Sequence, residues 1–453
     1  MTRRLFAIGL LSGVLGLWDA DAEGVPALPG PVYFSNRAVA NPAVALRTEL
    51  AAPASDYQHR IVAERCLLIR NPAIVDSFDF DSDPDSRSNP NPPWGFAQVI
   101  YRAFRTAGAN LSQVEGFMQA WQSDQGLGGL DLRWKQPIAQ APVRLLGVIN
   151  RLDLAELKSR GVDRNDGVMC GAEVRFVFAA LSSLPAGYLN LIVEFVLPCI
   201  NKPAFHAYAA RWNDLRTLPG PAPGSPYYKS LEWLLTEATG HANCVRLRVS
   251  MRDDNVWDVR QFAFQSTGLA RQLLFRQPNV GKVSCDPRSL FSGFVQNNLP
   301  QILASQYSIP APLGAQIERL STIQPALTLA PGIGGAYYER ARYSLSINSC
   351  LGCHGIETGT QFNHLQYRQR GESSRLSNFL AGPSQDVVTD QPWSPGAPPL
   401  ACVNGTHGDV RFFNDLVRRH LFLNIARRLN PAAPDVVWRR ALDTTGLTAL
   451  QTH

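Results

Sequence analysis

Cys350-Leu351-Gly352-Cys353-His354 is the short run of this chain whose residue types and spacing best specify a chemistry. Two thiols one helical turn apart can add to the two vinyl groups on one porphyrin edge, and the adjoining histidine is then held below the ring to ligate iron. The pentad therefore points to one covalent haem c, attached at Cys350 and Cys353 with His354 as the proximal ligand. A small cytochrome c takes its second axial ligand from a methionine downstream of the pentad. Here Met1, Met118, Met169 and Met251 all lie upstream. His364 or His407 is then the second axial ligand, or the sixth position is open. Two other chemistries use the same side chains. Cys350, Cys353, His354 and His364 could hold zinc in a tetrahedral site, and Cys350 with Cys353 alone could form a structural or redox-active disulfide.

Covalent haem attachment requires export, and the N-terminus carries an export pattern. Arg3 and Arg4 precede an apolar run from Leu5 to Trp18 and the small-residue site Ala20-Asp21-Ala22. Residues 1–22 thus read as a cleavable signal peptide, with a periplasmic or secreted mature chain. Thr2-Arg3-Arg4-Leu5-Phe6 also resembles a twin-arginine signal; folded export by that route would sit badly with haem attachment after translocation. No later stretch is apolar for the ~18 residues a membrane helix needs, so no span is expected after signal removal. In an oxidising compartment disulfides are the default for most of the eight cysteines. Cys170 and Cys199 are equidistant from the turn between two expected strands and should face each other, which predicts a bridge between them. Spacing does not assign Cys66, Cys244, Cys285 or Cys402.

The elements that must position these residues follow from patterning. The chain has 453 residues, 45% of them hydrophobic, enough for two or three domains with substantial cores. Its net charge of +6 is mostly arginine concentrated between 411 and 440, and no broad basic field predicts a nucleic-acid partner. Residues 23–93 read as an N-terminal arm and linker with one strand over Arg60 to Arg70. Asp79, Asp81, Asp83 and Asp85 alternate there like the start of a calcium loop, but Ser86 and Pro92 stand where such a loop needs Gly and Glu. Residues 94–310 read as an α+β main domain with antiparallel hairpins. It contains helices over 94–109, 203–215 and 226–239, the last capped by Ser225 with Pro226 at its first position. A strand over Val143–Ile149 precedes the hairpins 173–179 with 189–197 and 245–251 with 256–264. Residues 311–453 read as a mainly α-helical, cytochrome c-like segment. Its helix over 409–428 is expected to bury Val410, Phe413, Val417, Leu421 and Ile425 and to turn Arg411, Asp415 and Arg419 to solvent.

Asn348-Ser349-Cys350-Leu351-Gly352-Cys353-His354-Gly355, with Glu357-Thr358-Gly359-Thr360 and Phe362-Asn363-His364 after it, resembles a group of uncharacterised exported bacterial proteins with a single C-x-x-C-H motif. Leu376 to Gly382 and Val148 to Leu154 are similar to that group too. The resemblance implies export and a C-x-x-C-H site, and it brings no reaction with it. No nucleophile elbow, Walker loop, H-E-x-x-H or G-x-G-x-x-G motif signals another activity. The expectation is an exported c-type haem protein in electron transfer or redox chemistry, with a redox partner the sequence does not name. The alternative is a non-catalytic extracytoplasmic structural or binding protein whose pentad holds a disulfide or zinc.

Overall fold

Alternation of apolar and polar residues builds the centre of this molecule. The computed structural model describes residues 62–78, 93–109, 143–159, 165–180, 188–252, 256–272, 276–278, 288–303, 307–310, 312–316, 319–321, 341, 345, 364–381 and 415–443. All of them fall within one compact unit, Ala43–His453. The strands are β1 (Leu68–Ile69), β2 (Val143–Arg151), β3 (Glu156–Lys158), β4 (Val168–Cys170), β5 (Glu173–Ala180), β6 (Tyr188–Val196), β7 (Ile200–Asn201), β8 (Cys244–Arg252), β9 (Val256–Gln265), β10 (Gly268–Gln272), β11 (Arg276–Pro278), β12 (Gly314–Gln316) and β13 (Arg319–Ser321). The helices are α1 (Pro72–Phe78), α2 (Phe96–Thr106), α3 (Lys202–Asp214), α4 (Pro226–Gly240), α5 (Leu290–Asn297), α6 (Leu299–Leu303), α7 (Asn378–Ala381), α8 (Asp415–Arg428) and α9 (Asp435–Asp443). Among the described residues, eight strands form one sheet in the order β1-β2-β5-β6-β8-β9-β10, with β13 also on β9. Its pairings are antiparallel, and the architecture is mixed α+β.

Each hairpin sends one set of side chains to an apolar face. Phe176 and Phe178 of β5, Val193 and Phe195 of β6, and Val245 and Leu247 of β8 are buried together. Helices α2 and α4 cover this face. Phe96 meets Phe178 edge-on at 5.2 Å, Phe104 meets Phe264 at 4.8 Å, and Trp94 stacks on Phe176 at 5.4 Å. Helix α4 begins where Ser225 Oγ accepts the Tyr228 N–H at 3.1 Å, with Pro226 inside the first turn, where its missing N–H costs nothing. Helix α3 begins in the same way, with Asn201 Oδ1 accepting from Ala204 N at 2.9 Å.

The β5–β6 register runs past the main sheet without a slip. Glu173 pairs with Val196, Leu197 N–H donates to Ala172 O, and Met169 pairs with Ile200. Gly171 between these segments has φ 97°, which a residue without a Cβ adopts freely and which lets the pair turn out into the small sheet β3-β4-β7. Cys170 and Cys199 lie in that same register, 4.2 Å apart at Cα, joined by a disulfide.

Two expectations need correction. The strand over Arg60 to Arg70 is a helical turn through 62–66 followed by the two-residue β1. Ala63, Cys66 and Leu67 are buried at helical spacing, and Leu67 N–H donates to Ala63 O at 2.7 Å. On α8 the charges are not outside: Asp415 is 1% and Arg419 3% exposed, while Leu421 is only partly buried. Carboxylate and guanidinium partners across the interface allow this helix to bury charge. Of the described C-terminal residues, Leu365, Phe379, Leu416, Leu423, Ala426 and Trp438 join the same apolar cluster as the sheet, whereas Leu313, Ala341 and Leu345 pack with Phe291 and Val295 in a second.

Candidate functional site

His364 is the predicted ligand that the described structure places. It opens a loop that folds back on itself, with Leu365 bridged to Leu376 and Ser377 N–H donating to His364 O at 3.0 Å. That return sets Ser377 beside the imidazole, Nδ1 to Oγ 3.2 Å, and Phe379 against the ring at 5.1 Å. The loop is anchored on a β-bulge in β2 between Leu145 and Gly147. A bulge takes carbonyls out of the ladder, and the loop supplies donors for them. Arg368 Nε and Nη2 donate to Leu145 O at 3.0 and 2.9 Å, and Ser374 Oγ donates to Leu146 O at 3.0 Å. Arg144 donates back to Arg368 O at 3.0 Å. Gly147 gives the loop a close approach, since a Cβ there would sit 3.1 Å from Ile69 O and 3.2 Å from Leu365 Cδ1 and would make these neighbours give by a few tenths of an ångström. The segments around His364, Leu376 to Ala381 and the β2 strand leading into Leu154, distant in sequence, are thus neighbours.

Cys350, Cys353, His354 and His407 lie outside the described residues, as do the signal segment 1–22, the aspartate run 79–85 and Met118. What can be tested is whether the donor set suits haem. Two thiols and an adjacent imidazole are the group's attachment chemistry, and a hydrogen bond at the ring nitrogen that does not ligate, such as the Ser377 contact at Nδ1, is the kind that orients a ligating histidine. The residues fit in kind. Among the described residues, no three His, Cys, Asp or Glu side chains gather as a metal site. No described helix is long and apolar enough to cross a membrane.

Sequence reasoning missed a buried charge network on the second face of the sheet. Arg175 stands opposite Glu194, and Glu194 opposite Arg246, on β5, β6 and β8. Arg175 Nε lies 2.8 Å from Glu173 Oε2 and 3.2 Å from Glu194 Oε1. Arg246 pairs with Glu173 and reaches Glu194 at 3.3 Å, while Arg248 donates to Gln261 at 3.0 Å. At the end of β2, Arg151 holds Asp153 with two bonds of 2.9 and 3.0 Å. Helix α8 brings Arg418 and Arg419 to Asp415, and Arg418 lies 3.7 Å from Asp153 as well.

The charges decide what this network can do. Burial pushes Glu194 upward, but Arg175, Arg248 and Arg246 outweigh it and hold the carboxyl at about 2. Asp415 is held at about 2 in the same way, burial being outweighed by Arg418, Arg419 and Arg151. Asp153 is also lowered, the guanidiniums of Arg151, Arg419 and Arg418 overcoming its burial. None of these carboxylates exchanges a proton near neutral pH, so they are poor general acids or bases. The network fixes α8 against the sheet. A sequence signal for it existed: Glu173, Arg175, Glu194, Arg246 and Arg248 interrupt strands that are otherwise mostly apolar, and hairpin symmetry sets Arg175 opposite Glu194. No family model, curated protein or solved structure matches the chain.

Proposed function

We propose that this chain is an exported c-type haem protein in electron transfer or redox chemistry, with one haem joined to Cys350 and Cys353 and His354 on the iron. The pentad carries this reading. The Cys170–Cys199 disulfide supports it, because stable disulfides belong to the oxidising compartments where haem c is attached. When bound, the haem supplies a one-electron couple. The chain's part is to hold it by two thioethers in a mainly helical, cytochrome c-like C-terminal segment and to present the second axial ligand. For that position His364 is favoured over His407, since Ser377 orients its ring.

The test is the visible spectrum and intact mass of protein made with haem-attachment machinery present. A Soret band and the added mass of one haem are expected. His354→Ala should stop maturation, and loss of either thiol should leave a single thioether. His364→Ala should turn a low-spin ferric spectrum high-spin; the same change in His407→Ala alone would move the assignment there. With no downstream methionine, the potential should sit below that of His/Met cytochromes. Colourless protein with an unmodified pentad would defeat the reading, and metal analysis and thiol mapping would then separate zinc from a disulfide.

A further inference from the structure

The loop that carries His364 is held at its opposite end. Gln366 N–H donates to Arg375 O and Ser377 N–H to His364 O, both at 3.0 Å, so 364–366 and 375–377 run side by side with His364 and Ser377 at the open end. At the closed end Glu372 N–H donates to Gln369 O at 3.2 Å, and Gly371 turns the chain with φ 79°. One side chain grips this turn from within. Arg368 is 2% exposed, and its Nε and Nη2 both donate to Leu145 O of β2. Its Nη1 donates to Asp76 Oδ1 of α1 at 2.5 Å, and to Gln369 O and Glu372 O at 3.3 and 3.2 Å. Asp76 returns the grip, since its Oδ2 accepts the Gly371 N–H at 2.8 Å.

Connecting loops are ordinarily among the more mobile parts of a fold. This one is fixed to two separate elements, and Arg70 adds a third tie. Arg70 Nη1 donates to Ser374 O at 2.7 Å, while Glu64 accepts its Nε and Nη2 at 3.0 and 2.6 Å. Burying a guanidinium is costly even when a carboxylate accompanies it. The β2 bulge does not require that cost, because a neutral donor can serve its carbonyls, as Ser374 Oγ serves Leu146 O at 3.0 Å. A ligand for a bound group does require it: such side chains must be held within about 0.5 Å by supports that are themselves locked.

We propose that Arg368, paired with Asp76, is the positioning residue for His364. It fixes the turn on β2 and α1, and the paired segments 364–366 and 375–377 carry that rigidity to the imidazole and to Ser377. This rests on the haem reading, with His364 as second axial ligand. Arg368 acts through the loop and does not touch the iron, so its loss should spare haem attachment and let His364 leave the iron more often.

The test uses the full mature chain with haem attached, and reads the rate of cyanide binding to the ferric protein and the spin state against temperature. Cyanide enters a six-coordinate iron only when the sixth ligand departs, so its rate reports the opening of His364. Arg368→Lys keeps the charge and loses the fork; it should speed cyanide binding at least tenfold and give a high-spin fraction that grows on warming. Asp76→Asn preserves the shape of a side chain that is 20% exposed, and should speed binding several-fold. Cys170→Ser with Cys199→Ser loosens the fold away from the loop and should leave the rate unchanged. Protein without haem would defeat the haem reading, and a ferric spectrum unaltered by His364→Ala would defeat the ligand assignment; the proposal falls with either. Attached haem, a spin change in His364→Ala and wild-type cyanide rates in both Arg368→Lys and Asp76→Asn would overturn the positioning role alone. An equal rate increase in the disulfide variant would overturn it too.

Discussion

Cys66 and Cys244 carry the same thiol in opposite surroundings. Cys66 is fully buried, donates to Val62 O at 3.2 Å and is pushed up to about 12, chiefly by its burial. Cys244 is exposed, yet desolvation, with Glu173 and Glu194 beside it, holds its thiol above the ordinary value against the pull of Arg246. The thiolate is the reacting species. Native protein treated with iodoacetamide at pH 8 should therefore modify Cys244 more slowly than a free thiol, and Cys66 only after unfolding. Peptide mass mapping checks both, and rapid labelling of Cys66 in folded protein would contradict the packing around it.

At the scale of elements, α8 is tied to the sheet by charge, and this makes acid its weakness. Asp415 sits below its unfolded value, so its contribution is fully present above about pH 4 and is lost as pH falls toward about 2. That contribution is on the order of 2 kcal/mol. Asp415→Asn should lower the urea midpoint at pH 7 and flatten the fall of stability between pH 4 and pH 2. A variant with the wild-type acid slope would remove Asp415 from the account. The hairpins were legible in sequence because their partners are local: alternation gave the faces, and symmetry about one turn gave both the register and the Cys170–Cys199 pair. The buried face of α8 was not, because a charged side chain reads as solvated until its partner is known. Asp153 and Arg151 lie far away along the chain. The loop bearing His364 was legible as a motif but not as a clasp, since the β2 bulge it satisfies leaves no local signature. Removing the disulfide as Cys170→Ser with Cys199→Ser should cost about 2–4 kcal/mol in denaturant melts, since the bridge closes a loop of 29 residues.

For the whole molecule, the question is whether the C-terminal helices stand apart from the sheet or complete it. Leu416, Phe422, Leu423, Ala426 and Leu429 of α8 and its end are buried in the same cluster as β2, β5, β6 and β8, and Trp438 of α9 packs edge-on to Phe205 of α3 at 6.4 Å. Lys202 on α3 donates to Ala433 O at 2.7 Å and to Asp435 Oδ1 at 2.6 Å, a buried pair that pins α9 as well. Burying a large apolar side chain is worth about 1.5–3 kcal/mol, so Leu416, Phe422, Leu423, Leu429 and Trp438 together contribute roughly 10 kcal/mol. That is comparable to the whole net stability of about 5–15 kcal/mol expected for a folded domain. A chain ending at Asn414 would also leave Asp153 with Arg151 alone and Lys202 uncompensated, and each stranded buried charge adds several kcal/mol to the loss. Such a chain should lack the near-ultraviolet circular dichroism of the full protein and should bind hydrophobic dyes. If the shorter chain instead melted cooperatively near the full-length midpoint, the sheet would be self-sufficient, and α8 and α9 an appendage to it.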